Sequence, residues 1–202
     1  MTNVTTEAST VGLRERKKAR TCEAIIDAAV SLFERSGYDD TTVQQIAAAA
    51  EVSERTFFRY FDSKLDVVMA LKEEDENLEA LVATRPADES PLEATRQVVR
   101  ARMADAFAGD DRIVRQFRVV MGTPSLRSFA MDHFNEHRDG LAAAFAQRLG
   151  VSERDLAPQI IATAVGGALW TVIDRWVEEG AQTERLVPLV DEAFRLLERG
   201  LG

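Results

Sequence analysis

Two helix-start signals eleven residues apart constrain this chain more than any other feature. In TTVQQIAAAAEVSERTFFRYFDSK, residues 41–64, Thr42 is placed to cap a helix and Gln45 to reach back, a capping box. Ser53 offers a second cap, and Glu51-Val52 breaks the apolar spacing just before it. The first helix is therefore short, and so is the next, about Glu54 to Tyr60. Val43, Ile46, Ala47 and Ala50 give the first a small, flat apolar face, and Val52, Phe57 and Phe61 close the core opposite. Two such helices, joined by a tight turn and packed on a longer first helix, form a helix-turn-helix pattern.

The longer helix precedes them, about Leu13 to Ser36, with Ile25, Ala28, Ala29, Leu32 and Phe33 on one face and Gly37 at its C-terminal cap. Residues 1–12 are Thr/Ser-rich and expected to be disordered. A fourth helix is expected from Leu65 to about Ala83, and TRPADESP, residues 84–91, reads as a linker. Beyond it, breaks at Gly109, Gly122–Pro124, Gly150–Ser152 and Gly180 leave five more helical segments, about nine in all. Alternating β-branched segments are nearly absent, so the fold class is all-α. The expected division is a helix-turn-helix domain over residues 13–64, with its motif at about 42–61, and a helical domain over 65–202.

The net charge of −9 is unevenly placed. Residues 1–64 hold nine Lys/Arg against ten Asp/Glu, so most of the acidity lies in the remainder. Arg14, Arg16, Lys17, Lys18 and Arg20 face only Glu15 across seven positions, a basic arm suited to a polyanion. The single cysteine, Cys22, makes no intrachain disulfide, and the reducing cytoplasm is the expected location. The apolar segment IIATAVGGALWTVIDRWVEEG carries Asp174 and Arg175, so no membrane partner is expected.

On the second short helix, Ser53, Glu54, Arg55, Thr56 and Arg59 are the outward positions, placed to meet base edges and phosphates if the helix enters a major groove. RTCEAIIDAAVSLFERSGYDDTTVQQIAAAAEVSERTFFRYFDSKLDVV closely resembles the DNA-binding domain of the TetR family of bacterial transcription regulators, over roughly residues 14–68. The resemblance implies a ligand-responsive repressor that binds double-stranded, near-palindromic operator DNA as a homodimer, without cofactor, metal or enzymatic activity. It also implies roles. Thr42 caps its helix and holds a phosphate, Gln44 reaches a base or the backbone, and Arg55 and Thr56 read bases. Tyr60 meets the backbone, and Lys64 grips a phosphate at the start of the fourth helix. The DNA-contact set is thus Arg14, Lys17, Lys18, Thr42, Gln44, Ser53, Arg55, Thr56, Arg59, Tyr60 and Lys64. Two positions depart from the family: Phe58 where Tyr is frequent, losing a hydroxyl for phosphate, and Glu51 where Gly is frequent.

The remaining signals concern the larger domain. Met103, Phe107, Phe117, Met121, Phe134 and Trp170 form an apolar set suited to a lipophilic effector, although each alone reads as bundle core. Gly166 permits close helix approach while Leu169, Ile173 and Trp176 offer area, which reads as a dimer interface. HFNEH, residues 133–137, has the H-x-x-E-H order of one class of zinc peptidases, but the chain holds only these two histidines and shows no third ligand. A zinc hydrolase and a helical interaction protein without DNA activity are the competing classes.

Overall fold

The computed structural model describes residues 12–70, 78–106 and 111–200, with the side chains of residues 13, 14, 105, 106, 133, 134, 136 and 137 outside that description. The described residues contain ten helices and no strand, and they divide into two compact units between residues 70 and 71. HFNEH, Phe107 and Phe134 therefore fall outside the side chains described, as does Arg14. Among the described residues no group of His, Cys, Asp and Glu is arranged to hold a metal ion.

In the first unit, α1 (Leu13–Ser36) stops at Gly37, whose φ of 84° ends the helical run while its N–H reaches Phe33 O at 2.9 Å. α2 (Val43–Ala49) opens on the expected capping box. The Gln45 N–H donates to Thr42 Oγ1 at 3.2 Å, and the Thr42 N–H donates to Gln45 Oε1 at 2.8 Å. Each bond satisfies a group that a helix start otherwise leaves to water. α3 (Glu54–Phe57) and α4 (Lys64–Met69) begin on Ser53 and Ser63, whose side chains accept from the Thr56 and Asp66 N–H groups. α1 packs on α2 and α4, and α2 packs on α3. Ile25, Ala29, Val30 and Phe33 of α1 close on Ile46, Ala47, Phe57, Phe61, Val67 and Val68. Phe57 and Phe61 close this core as expected, whereas Phe58 is 51% exposed.

The expected continuous fourth helix is not found as such. Helix ends at Met69, Ala70 lies outside it at φ −71° and ψ 65°, and helix is next described at α5 (Leu78–Ala83).

The second unit adds α6 (Pro91–Ala106), α7 (Asp111–Gly122), α8 (Pro124–Leu149), α9 (Leu156–Glu178) and α10 (Thr183–Arg199). α9 is the spine, packed on α8 along one side and on α10 along another, while α10 also lies on α6 and α5 lies on α8 and α6. Val98, Val114, Leu141, Phe145, Val165, Leu169, Trp176, Val190 and Phe194 meet in one core. Trp176 is fully buried, and its indole N–H finds Gln182 O at 2.8 Å, so its polar edge is satisfied. Truncating so buried a ring costs about 3–5 kcal/mol in general.

Residues 84–91 do not hang free. The Arg148 guanidinium donates through Nη1 to Val82 O at 3.1 Å and Arg85 O at 3.2 Å, and through Nη2 to Glu89 O at 3.0 Å and to Pro86 O. One side chain thus binds the α5–α6 connection to the end of α8.

The expected dimer contacts need correction. Leu169 is 4% exposed and Trp176 0%, both inside the core of one chain, and Ile173 packs against that core. The outward face of α9 instead carries Leu156, Ile160, Thr163, Gly167 and Thr171. Helical periodicity is the same whichever partner covers the face, so the spacing alone had no means of assigning it.

Candidate nucleic-acid interface

The turn between α2 and α3 sets the aim of everything after it. Val52 N–H bonds to Ala47 O at 2.9 Å and Glu51 N–H to Ala48 O at 3.2 Å, the paired closure of a Schellman cap. The motif needs a left-handed residue, and Glu51 supplies it at φ 55°. A residue with a Cβ is strained there. Glu51→Gly is therefore expected to stabilise the first unit by about 0.5–1 kcal/mol, the relief of that strain exceeding the flexibility glycine adds to the unfolded chain. A thermal melt of the two proteins checks this. A lower midpoint for the glycine variant would refute it.

Beyond the turn, Ser53 caps α3, its hydroxyl accepting from the Thr56 N–H at 3.0 Å and lying 2.9 Å from Thr56 Oγ1. These two hydroxyls serve each other and the helix end. Glu54, Arg55, Phe58 and Arg59 point outward, and Phe57 points into the core. The chain continues past Phe57 as a tight turn, with Tyr60 N–H on Phe57 O at 2.8 Å and Arg59 N–H on Thr56 O at 3.2 Å. Tyr60 is half-buried, and the Arg59 guanidinium stacks 5.1 Å from its ring centre, which fixes that charge beside the outward face. On α2, Thr42, Gln44 and Gln45 are exposed. The Thr42 hydroxyl, expected to hold a phosphate, lies 3.1 Å from Gln45 Oε1 and so already has an acceptor within the cap.

Arg16, Lys17, Lys18 and Arg20 are exposed along the first turns of α1. Burial on that helix begins at Ile25, so this basic segment extends beyond the head's core.

Lys64, expected to grip a phosphate, is bonded within the head. Its ammonium donates to Tyr38 O at 2.6 Å, Thr41 O at 2.9 Å and Asp39 O at 3.1 Å, and it sits 4.3 Å from the Tyr38 ring centre. An ammonium has three N–H donors, and all three are committed. In this arrangement the side chain ties the α1–α2 connection to the start of α4. Burial, with Asp39 and Asp66 adding to it, raises the Tyr38 pKa, so the phenol under that ammonium stays neutral. No spacing rule links Lys64 to residues 38–41, and only the folded head brings them together.

Of the apolar set in the second unit, Met103 and Phe117 pack against the core, with Phe117 edge-on to Trp176 at 6.1 Å, and Met121 is buried. Trp170 is half-buried beneath the Arg127 guanidinium, which also pairs with Asp174 at 2.8 Å. An open cavity of about 600 Å³ lies between α5 and α8, lined by Glu79, Ala83, Gly140, Ala144, Gln147 and Glu153 among others, and by none of those four. Gly140 makes room for the Glu79 side chain there, because a Cβ would stand 2.8 Å from Glu79 Oε1.

An arginine-bearing outward helix set by a capped turn on a small helical head defines a DNA-binding regulator of the helix-turn-helix class. The family model for bacterial regulatory proteins of the tetR family matches residues 25–71, and the MftR C-terminal domain model matches residues 89–202. The HTH-type transcriptional regulator TcmR of Streptomyces glaucescens is 39% identical over 172 residues, which is 81% of this chain and 76% of that protein. The HTH-type transcriptional repressor BepR of Brucella suis is 28% identical over 173 residues, covering 75% of this chain and 79% of BepR. The fatty acid degradation regulator FadR from Bacillus halodurans shares the fold, with a TM-score of 0.62 at 22% identity over 90% of this chain and 96% of FadR. The chain belongs to the TetR family of bacterial transcription regulators.

Proposed function

We propose that this regulator is a cytoplasmic repressor that holds a near-palindromic operator as a homodimer and releases it when a small lipophilic effector binds the second unit. The outward face of α3 is the observation that carries the reading. Arg55 is exposed there beside Arg59, and arginine matches the two acceptors of guanine. Gln44 approaches from α2, and Lys17 and Lys18 add phosphate attraction from α1, as Arg14 would from the same stretch.

The face of α9 supports the homodimer. Leu156 is 72% exposed and Ile160 55%, and only 28% of the helix's most apolar eighteen-residue stretch is buried in one chain. A second copy is the partner we assign to it, since two heads on one DNA face require two-fold symmetry. For the effector, the cavity between α5 and α8 offers space behind walls made largely of alanine, and Met103, Phe117, Met121 and Trp170 offer apolar surface that repacking would expose. Phe107 and Phe134 complete the candidate set by sequence alone.

A binding selection from random duplex DNA tests this reading. The expected product is an inverted repeat with half-sites about one helical turn apart or a multiple of it. Arg55→Ala is expected to cost about 1–3 kcal/mol and to relax preference at one position of each half-site. Repeated with lipophilic compounds, the measurement should show operator affinity falling about 5- to 150-fold for a true effector, and operator should weaken effector binding by the same factor. A pool that yields no enriched sequence would overturn the operator reading.

A further inference from the structure

Phe58 is the only exposed large hydrophobic side chain among the described residues of the first unit. It stands on the outward face of α3, between Glu54 and Arg55 in helical register and next to Arg59, all of them exposed. Its ring is not loose. The Phe58 N–H is bonded to Glu54 O at 2.9 Å, and the ring meets the fully buried Phe57 edge-on, at 5.4 Å between centres and 84° between planes. An apolar ring kept in water on a face otherwise given to charge loses free energy unless something covers it. If that face enters a major groove, a phenyl group has no donor or acceptor with which to read nitrogen and oxygen edges. The one base feature in that groove it matches is the C5-methyl group of thymine.

Resting on the operator reading above, we infer that Phe58 is a specificity-determining residue that packs on a thymine methyl, at a position next to the base read by Arg55. The two side chains divide the work: the guanidinium selects by hydrogen bonds, the phenyl ring by apolar contact.

Deoxyuridine differs from thymidine only by that methyl, so it makes the test. The duplex enriched in the selection is resynthesised with deoxyuridine at each thymidine in turn, and binding is measured with the wild type, Phe58→Ala and Phe58→Tyr. One thymidine per half-site is expected to matter. Losing its methyl should weaken wild-type binding about fourfold, and about 15-fold when both half-sites are changed, on the usual free energy of burying one methyl group. For Phe58→Ala the same exchange should change affinity by a factor of about one. Phe58→Tyr keeps the ring and its packing on Phe57, so it should keep the penalty. The salt dependence of Phe58→Ala should match the wild type, because no charge has been removed. An enriched duplex with no methyl-sensitive position, or a penalty unchanged in Phe58→Ala, or one lost in Phe58→Tyr, overturns the contact while leaving the operator reading intact. Failure to enrich any duplex strikes the operator reading first.

Discussion

Ile160→Asp is expected to give a folded monomer whose operator affinity falls at least about 100-fold, because joining two heads multiplies affinity by that order or more. The aspartate would sit on the exposed face of α9, where water solvates it in the free chain and a second copy would have to bury it. Leu169→Asp, one face away on the same helix, should behave quite differently. Leu169 is closed inside the second unit, so a carboxylate there must either stay unpaired in the core or open it, at a cost above about 4 kcal/mol. Sedimentation and circular dichroism separate the two outcomes. The homodimer assignment to α9 fails if Ile160→Asp still sediments as a dimer, or if Leu169→Asp is the variant that yields a clean, folded monomer.

That contrast marks what sequence can and cannot supply. The caps on Thr42 and Ser53 and the stop at Gly37 are local chemistry, with donor and acceptor only a few residues apart, and they were legible. The breaks between α7 and α8, α8 and α9, and α9 and α10 followed from Gly and Pro in the same way. The left-handed turn at Glu51 was legible only as a departure from a familiar pattern, because its φ belongs to the cap and not to the residue type. Leu169 and Trp176 read as interface and lie in the core of one chain, since an apolar stripe looks alike whether the chain covers it or a partner does. Arg148 gave no signal at all. Its carbonyl partners lie 59 to 66 residues away, and nothing in a polar helix end announces them. Phe58 was read only as a tyrosine position without its hydroxyl, and its exposure is a matter of helix phase that the folded head shows.

Lys64 is the case in which a family role and a local geometry make opposing claims, and Lys64→Met discriminates between them. Methionine keeps most of the stem's volume while removing the ammonium. Three carbonyls at residues 38, 39 and 41 would lose their donor, two of them in partly buried bonds. Hydrogen bonds to a charged donor are worth more than neutral ones, and water can replace only the exposed contact fully. The expected loss is about 2–4 kcal/mol in the stability of the first unit, seen as a lower denaturation midpoint for the head. Operator binding should weaken as well, because the α1–α2 connection ends at Thr42 and so positions the start of α2. The salt dependence of that binding decides the mechanism. A lysine that neutralises a phosphate takes about one unit from the slope of log affinity against log salt when removed, whereas a strut takes none. An unchanged slope with a less stable head is the expected pair of results. A head of unaltered stability, together with a slope reduced by one, would return Lys64 to the phosphate.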